Sequence, residues 1–222
     1  MCQHASGRPA ARASNSLSPL AVPESSPTRM PWTLPETGLA VFHGHPDVPR
    51  LFHYFLPRLV AQGKPVLCLD GANRFDPLLI ARFARERDVE AAVFNKRLRV
   101  ARAFTCFQLT ELLARTPRLL EKFSARVLIV TALPDLYFDE DVREREAAVS
   151  FRRALEALRI LRPLPLAAAV FTDATSFQTP RKTLFTQLLA QADHVSRFAV
   201  TEGDKLAIVG EKSSRPVHRS LA

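Results

Sequence analysis

Short apolar runs alternate along this chain with longer stretches in which apolar residues recur every three or four positions. The runs are residues 39–42, 65–70, 98–103, 126–131 and 166–172. They are too short for helices and predict strands; 65–70 and 126–131 read as buried, whereas 98–103 carries Arg99 and Arg102. Between them, Leu51, Phe52, Phe55, Leu56 and Leu59 predict a helix over 48–62 closed by Gly63-Lys64. Asp76-Pro77 opens another helix to about residue 87, and a short one fills 89–95. Leu109, Leu112, Leu113, Leu119 and Leu120 predict a helix over 107–123. Val142, Ala148, Phe151, Leu155 and Leu158 predict a long one to about residue 161, and residues 184–192 a last one. Strands at 195–200 and 205–209 flank Thr201-Glu202-Gly203-Asp204, a hairpin turn.

Strands alternating with helices predict an α/β fold. Its sheet is mostly parallel, with helices on both faces and an antiparallel hairpin at one edge. Ligands of such sheets sit beyond the carboxyl ends of the strands. Here those ends are the loops at 43–50, 70–77, 103–106, 131–141 and 172–180.

The flanks break the pattern. Residues 1–36 hold six Pro and six Ser and few large apolar side chains, the composition of a disordered tail. Their Arg and Ala suit a transit peptide, but the prolines oppose its amphipathic helix, and Met30 offers an alternative start. One folded domain is expected over 37–211 and a polar, basic tail with Lys212, Arg215 and Arg219 over 212–222.

Composition adds three constraints. Of 222 residues 47% are hydrophobic, enough for a full core, yet no apolar run reaches the ~18 residues of a membrane span. Cys2, Cys68 and Cys106 are distant and odd in number, which points to a reducing, cytoplasmic setting without a disulfide framework. The net charge of +9, mostly arginine, suits single- or double-stranded DNA or an acidic partner, or serves solubility alone.

Candidate chemistry concentrates at the loop ends. Residues 39–52 read as strand, tight loop with Gly44, and helix, the layout of a phosphate-binding loop. Arg50 would meet an anion at the helix N-terminus, or simply face solvent. His43, His45 and Asp47 have metal-ligand chemistry, but with no Cys or further His nearby two solvated histidines and no metal are expected. Asp139-Glu140-Asp141 precedes a helix and reads as its cap. Arg143, Arg145, Arg152, Arg153, Arg159 and Arg162 share the long helix with Glu144, Glu146 and Glu156, which predicts a paired, solvated face. Ser176, Gln178, Thr179, Arg181 and Lys182 form a polar, basic stretch with no acid after Asp173, a candidate for phosphate contact.

Three pieces in order resemble the ATPase core of the RecA superfamily, nearest the archaeal and eukaryotic recombinases and their paralogues. Leu69-Asp-Gly-Ala-Asn-Arg-Phe-Asp-Pro-Leu-Leu-Ile80 resembles the family's strand-turn-helix, with its Asp, Asn, Phe and Pro in register. Val100-Ala-Arg-Ala-Phe-Thr-Cys-Phe-Gln-Leu109 is similar to its Ala-Arg-Ala-Tyr strand and following Gln. Val170-Phe-Thr-Asp173 stands where the family has Val-Thr-Asn before its second DNA-binding loop. The resemblance spans about residues 38–211 and implies a three-layer P-loop NTPase fold and assembly into homo- or hetero-oligomers. It also implies DNA contact through Ser176, Gln178, Arg181 and Lys182.

The departures imply lost catalysis. Aligning on Val41-Phe42 puts Pro49 at the family's phosphate-binding Lys and Arg50 at its Mg²⁺-binding Ser/Thr. Thr131 replaces the metal-side Asp, and within Asp70–Phe75 Ala72, beside Asn73, replaces the carboxylate that polarises water. The resemblance thus implies a degenerate nucleotide site without ATP or Mg²⁺ and a non-enzymatic recombination or repair accessory, with an accessory to translesion synthesis fitting equally. The rival expectations are a DNA-dependent ATPase using Arg50 and partner residues, and a scaffold without nucleic acid.

Overall fold

A computed structural model of the chain describes residues 34–201 and 205–213. The expected tail over 1–36 (for residues 1–33), the turn at 202–204 and tail residues Arg215 and Arg219 lie outside the described residues. The elements run β1 (Gly38–His43), α1 (Val48–Ala61), β2 (Val66–Asp70), α2 (Pro77–Arg85), α3 (Ala91–Arg97), β3 (Leu98–Arg102) and α4 (Cys106–Phe123). They continue with β4 (Val127–Thr131), α5 (Glu144–Leu161), β5 (Ala167–Phe171), α6 (Lys182–Gln191), β6 (His194–Thr201) and β7 (Lys205–Ser213). The seven strands form one sheet in the order β3-β2-β4-β5-β1-β6-β7. All neighbours are parallel except the β6–β7 hairpin.

The chain reverses direction across the sheet once, at β3. From β1 it steps outward to β2 and β3, then returns through β4 and β5 and crosses β1 to reach β6. Right-handed crossovers therefore put α1–α3 on one face and α4–α6 on the other. Side-chain alternation agrees: Leu39, Val41, Leu67, Leu69, Leu128, Val130 and Val170 pack in one cluster with α4, α5 and α6 residues such as Leu113, Phe151 and Leu188. On the opposite face Phe42 and Phe171 stack at 4.8 Å and meet Phe55 and Phe52 of α1.

Two helices contain proline in their interior. Pro57 in α1 and Pro117 in α4 each remove an N–H and crowd a preceding carbonyl, at a cost of about 3 kcal/mol. Packing outweighs it, because α1 buries Phe52, Phe55, Leu56, Leu59 and Val60, each contributing about 1.5–3 kcal/mol. Three helices end alike. Gly63 N–H bonds Val60 O and Lys64 N–H bonds Leu59 O, a paired C-terminal cap around a left-handed residue. Asp88 and Ser124 take the same conformation after α2 and α4, with the same bonds. Gly63 announces its cap in the sequence; Asp88 and Ser124 do not.

Several expected boundaries move. Val142 lies outside α5, which begins at Glu144 after an uncapped Arg143. The acids at 139–141 therefore do not cap it; Asp139 instead accepts the Asp141 N–H at 3.0 Å. Strand β7 runs past residue 209 to Ser213, so Lys212 is paired sheet and not tail. Its Nζ donates to Leu189 O and Ala190 O, at the cation-favouring C-terminal end of α6. Lys182 belongs to α6, and the polar loop before it holds a 3₁₀ turn at Ala174–Ser176. The long-helix arginines are mostly not paired along the helix: Arg159 bonds Glu156, and Arg162 reaches Asp193 of the α6–β6 link.

Candidate functional site

The carboxyl ends of β1, β2, β4 and β5 come together where the crossovers reverse. The β1–α1 corner is the first part. His43 ends β1 at 4% exposure, and its Nε2 lies 2.9 Å from Glu211 Oε2 of β7. Glu211 also receives Arg197 Nε at 3.1 Å. His43 is thus a buried, bonded residue, which corrects the expectation of two solvated histidines. No cluster of three metal-ligating side chains exists among the described residues.

Gly44 turns the chain at φ +107°. A Cβ there would sit 2.5 Å from Phe198 O, so the glycine permits close packing on β6. The donors of the following turn are consumed locally. Val48 N–H bonds His45 O, Arg50 N–H bonds Asp47 O, and Asp47 N–H bonds His45 Nδ1. Pro49, buried in the first turn, has none. A phosphate cradle needs these backbone donors free and convergent. This corner offers none of the three and does not fit the phosphates of ATP.

The β2 and β4 ends form the second part. Asp70 is wholly buried and Thr131 is its register partner across the sheet. Asp70 Oδ1 accepts the Thr131 hydroxyl at 3.0 Å and Arg74 N–H at 3.1 Å; Oδ2 accepts Phe75 N–H at 2.9 Å. Thr131 Oγ1 in turn accepts Ala72 N–H at 3.0 Å. Arg102 Nε stands 3.7 Å from Asp70. A buried carboxylate persists only when so satisfied. Asn73 takes the left-handed conformation its residue type tolerates. Asp70, Ala72 and Thr131 are therefore parts of one closed turn, which does not fit a magnesium ion.

His53, unremarked in the sequence because its helical position reads as core, joins the two parts. It is 1% exposed; its Nδ1 lies 2.7 Å from Arg50 O and its Nε2 accepts Asp76 N–H at 2.9 Å. These bonds define a neutral tautomer with the proton on Nδ1. Burial holds its pKa below the usual histidine range. Asp76 goes on to cap α2 through Leu78 N–H and Leu79 N–H. Gln108 accepts Phe104 N–H while Thr105 accepts Gln108 N–H, a capping arrangement at the start of α4.

The third part is the β5 end. Buried Thr172 donates its hydroxyl to Asp135 Oδ1, and Asp173 N–H reaches Oδ2 at 3.2 Å. Burial and the neighbouring Asp173 carboxyl push the Asp135 pKa well above the carboxylate range. Nothing in the hydrophobic pattern marks Asp135, which falls in the loop expected at 131–141.

Of the expected DNA-contacting residues, Ser176, Gln178 and Lys182 are exposed. Arg181 is different. Its guanidinium donates to Tyr137 O at 3.0 Å, Asp139 O at 2.7 Å and Val142 O at 2.5 Å. It braces the 134–142 loop against the 173–181 loop, beside a Phe138–Phe177 contact. Lys182 makes no ion pair among the described residues.

The chain matches no protein-family model and no curated protein. No helix among the described residues is long and apolar enough to cross a membrane.

Proposed function

We propose that the protein is a non-hydrolysing RecA-like paralogue with a degenerate P-loop NTPase fold. It serves DNA recombination or repair inside the cell, through a partner chain, DNA, or both, in a homo- or hetero-oligomer. The observation that carries the reading is the closed corner. The first-turn donors of α1 bond within their own loop, and Asp70, Thr131 and Ala72 bond to one another. Each position that departs from the ATPase motif thus has a structural occupation in its place. The DNA part rests on the motif order, the net charge and the exposed Ser176, Gln178 and Lys182.

Calorimetric titration with ATP, with and without Mg²⁺, tests the first part: no saturable binding is expected, and micromolar affinity ends the reading. Single-stranded DNA binding at several salt concentrations tests the second. An affinity falling log-linearly with salt is expected, and none at low salt removes DNA from the proposal.

A further inference from the structure

The outer surface between α4 and α5 carries a groove remote in sequence from the corner. Two adjoining depressions of about 470 and 500 Å³ share Val149 and Arg153 as lining. Together they follow α5 from Arg143 to Ile160, some 25 Å at the helical rise of about 1.5 Å per residue. The groove has large apolar side chains where a surface usually has few. Phe107 is 49% exposed, Val149 41% and Ile160 54%. Val149, Arg153, Glu156 and Ile160 follow helical spacing, a second stripe beside the buried one of Phe151, Leu155 and Leu158.

Its charge is one-sided. Arg143, Arg145, Arg152 and Arg153 line it, and none makes an ion pair among the described residues. Of the two glutamates present, Glu156 is held by Arg159, leaving Glu146. Uncompensated arginines flanking an apolar floor complement a helix with apolar residues on one face and carboxylates beside them. A single-stranded nucleic acid would use the arginines and the Phe107 ring, but gain nothing from Val149 and Ile160, which neither donate hydrogen bonds nor stack on bases.

We propose that the α4–α5 groove docks an acidic amphipathic helix of a partner protein, its apolar face on Phe107, Val149 and Ile160 and its carboxylates on Arg143, Arg145, Arg152 and Arg153. This stands apart from the reading of the nucleotide corner, which contains none of these residues.

The probe is a fluorescein-labelled helical peptide of about 18 residues, with leucines at i, i+3/i+4 and i+7 spacing and glutamates beside them, titrated with the full chain. Its lysine-for-glutamate counterpart is the charge control. Saturable binding of the acidic peptide and none of the basic one are expected. R145E/R153E should weaken it at least about tenfold, and V149S/I160S about fivefold, whereas R82E/R87E, on α2 and just after it, should change it less than about twofold. All substituted side chains are exposed, and circular dichroism verifies folding. Three results overturn the proposal. One is no saturable binding. Another is an equal loss in R82E/R87E, which reduces the effect to overall charge. The last is displacement of the peptide by an oligonucleotide of about 20 bases whose own binding R145E/R153E abolishes, which makes the groove a nucleic-acid surface.

Discussion

The Thr131 hydroxyl donates a hydrogen bond to Asp70 Oδ1 and accepts one from Ala72 N–H, closing the β2 turn onto β4 at 3.0 Å on each side. The RecA-like alignment reads Thr131 as a lost aspartate. In the fold it supplies a donor to a carboxylate with no exposure to solvent. Restoring aspartate would put a second acid against Asp70 and remove that donor. T131D should destabilise the protein by about 3–5 kcal/mol, the scale of an uncompensated buried charge. T131A, which only leaves polar groups unpaired, should cost about 1–3 kcal/mol. Chemical denaturation of both variants measures this. A stable T131D that binds Mg²⁺–ATP would contradict the closed-corner reading.

Gly44 tests what the corner is for. A phosphate-loop glycine and a packing glycine look identical in sequence. Here φ is +107° and the absent Cβ would meet Phe198 O at 2.5 Å. G44A should therefore lose well over about 1 kcal/mol, the backbone penalty alone, because the backbone of β6 must also move. The midpoint of urea unfolding should fall with an unchanged slope. Unaltered stability would mean that the corner does not pack on β6 as described.

Much of the fold was legible because it rests on burial. Strands such as 126–131 have an unbroken apolar centre at 127–130, and helices such as 107–123 carry leucines at helical spacing, so β4 and α4 fall where the pattern puts them. The candidate site was less legible. Its groups act through partners distant in sequence: His53 with Asp76, Asp135 with Thr172, His43 with Glu211. Local spacing says nothing about such pairs. His53 occupies a core position of α1, and Glu211 lay at the edge of what read as a tail. Arg181 shows the opposite error, since a basic residue in a polar loop reads as free when three carbonyls hold it.

Two buried titrating groups give stability opposite dependences on pH. His53 binds its proton less readily folded than unfolded. As pH falls below about 6.5 the unfolded chain takes up the proton first, and stability declines. Asp135 keeps its proton more readily folded than unfolded. Its contribution is present below the ordinary carboxylate range near 3.8 and is lost as pH rises through its elevated folded value. In D135N, which stays neutral, that decline should disappear, and in H53Q the loss below about 6.5 should shrink. Urea midpoints from pH 5 to 9 in the wild type and both variants decide it. A D135N profile parallel to wild type would contradict the buried, proton-retaining carboxyl.

Arg181 and Lys182, adjacent and both basic, should separate stability from DNA contact. Arg181 donates to Tyr137 O, Asp139 O and Val142 O, so R181A leaves three carbonyls short of a charged donor. Charge-assisted bonds of this kind contribute about 1.5–3 kcal/mol, and the variant should melt roughly 4–10 °C lower. Lys182 is exposed and unpaired among the described residues, so K182A should leave the melting temperature unchanged within about 2 °C. For single-stranded DNA the order reverses under the proposed function. K182A should weaken binding and lower the salt slope by about 1, the mark of one lost phosphate contact. R181A, measured well below its melting temperature, should keep the wild-type slope because its charge already serves the two loops. A slope lowered by R181A and untouched by K182A would place the phosphate on the braced arginine and require the loops to open when DNA binds.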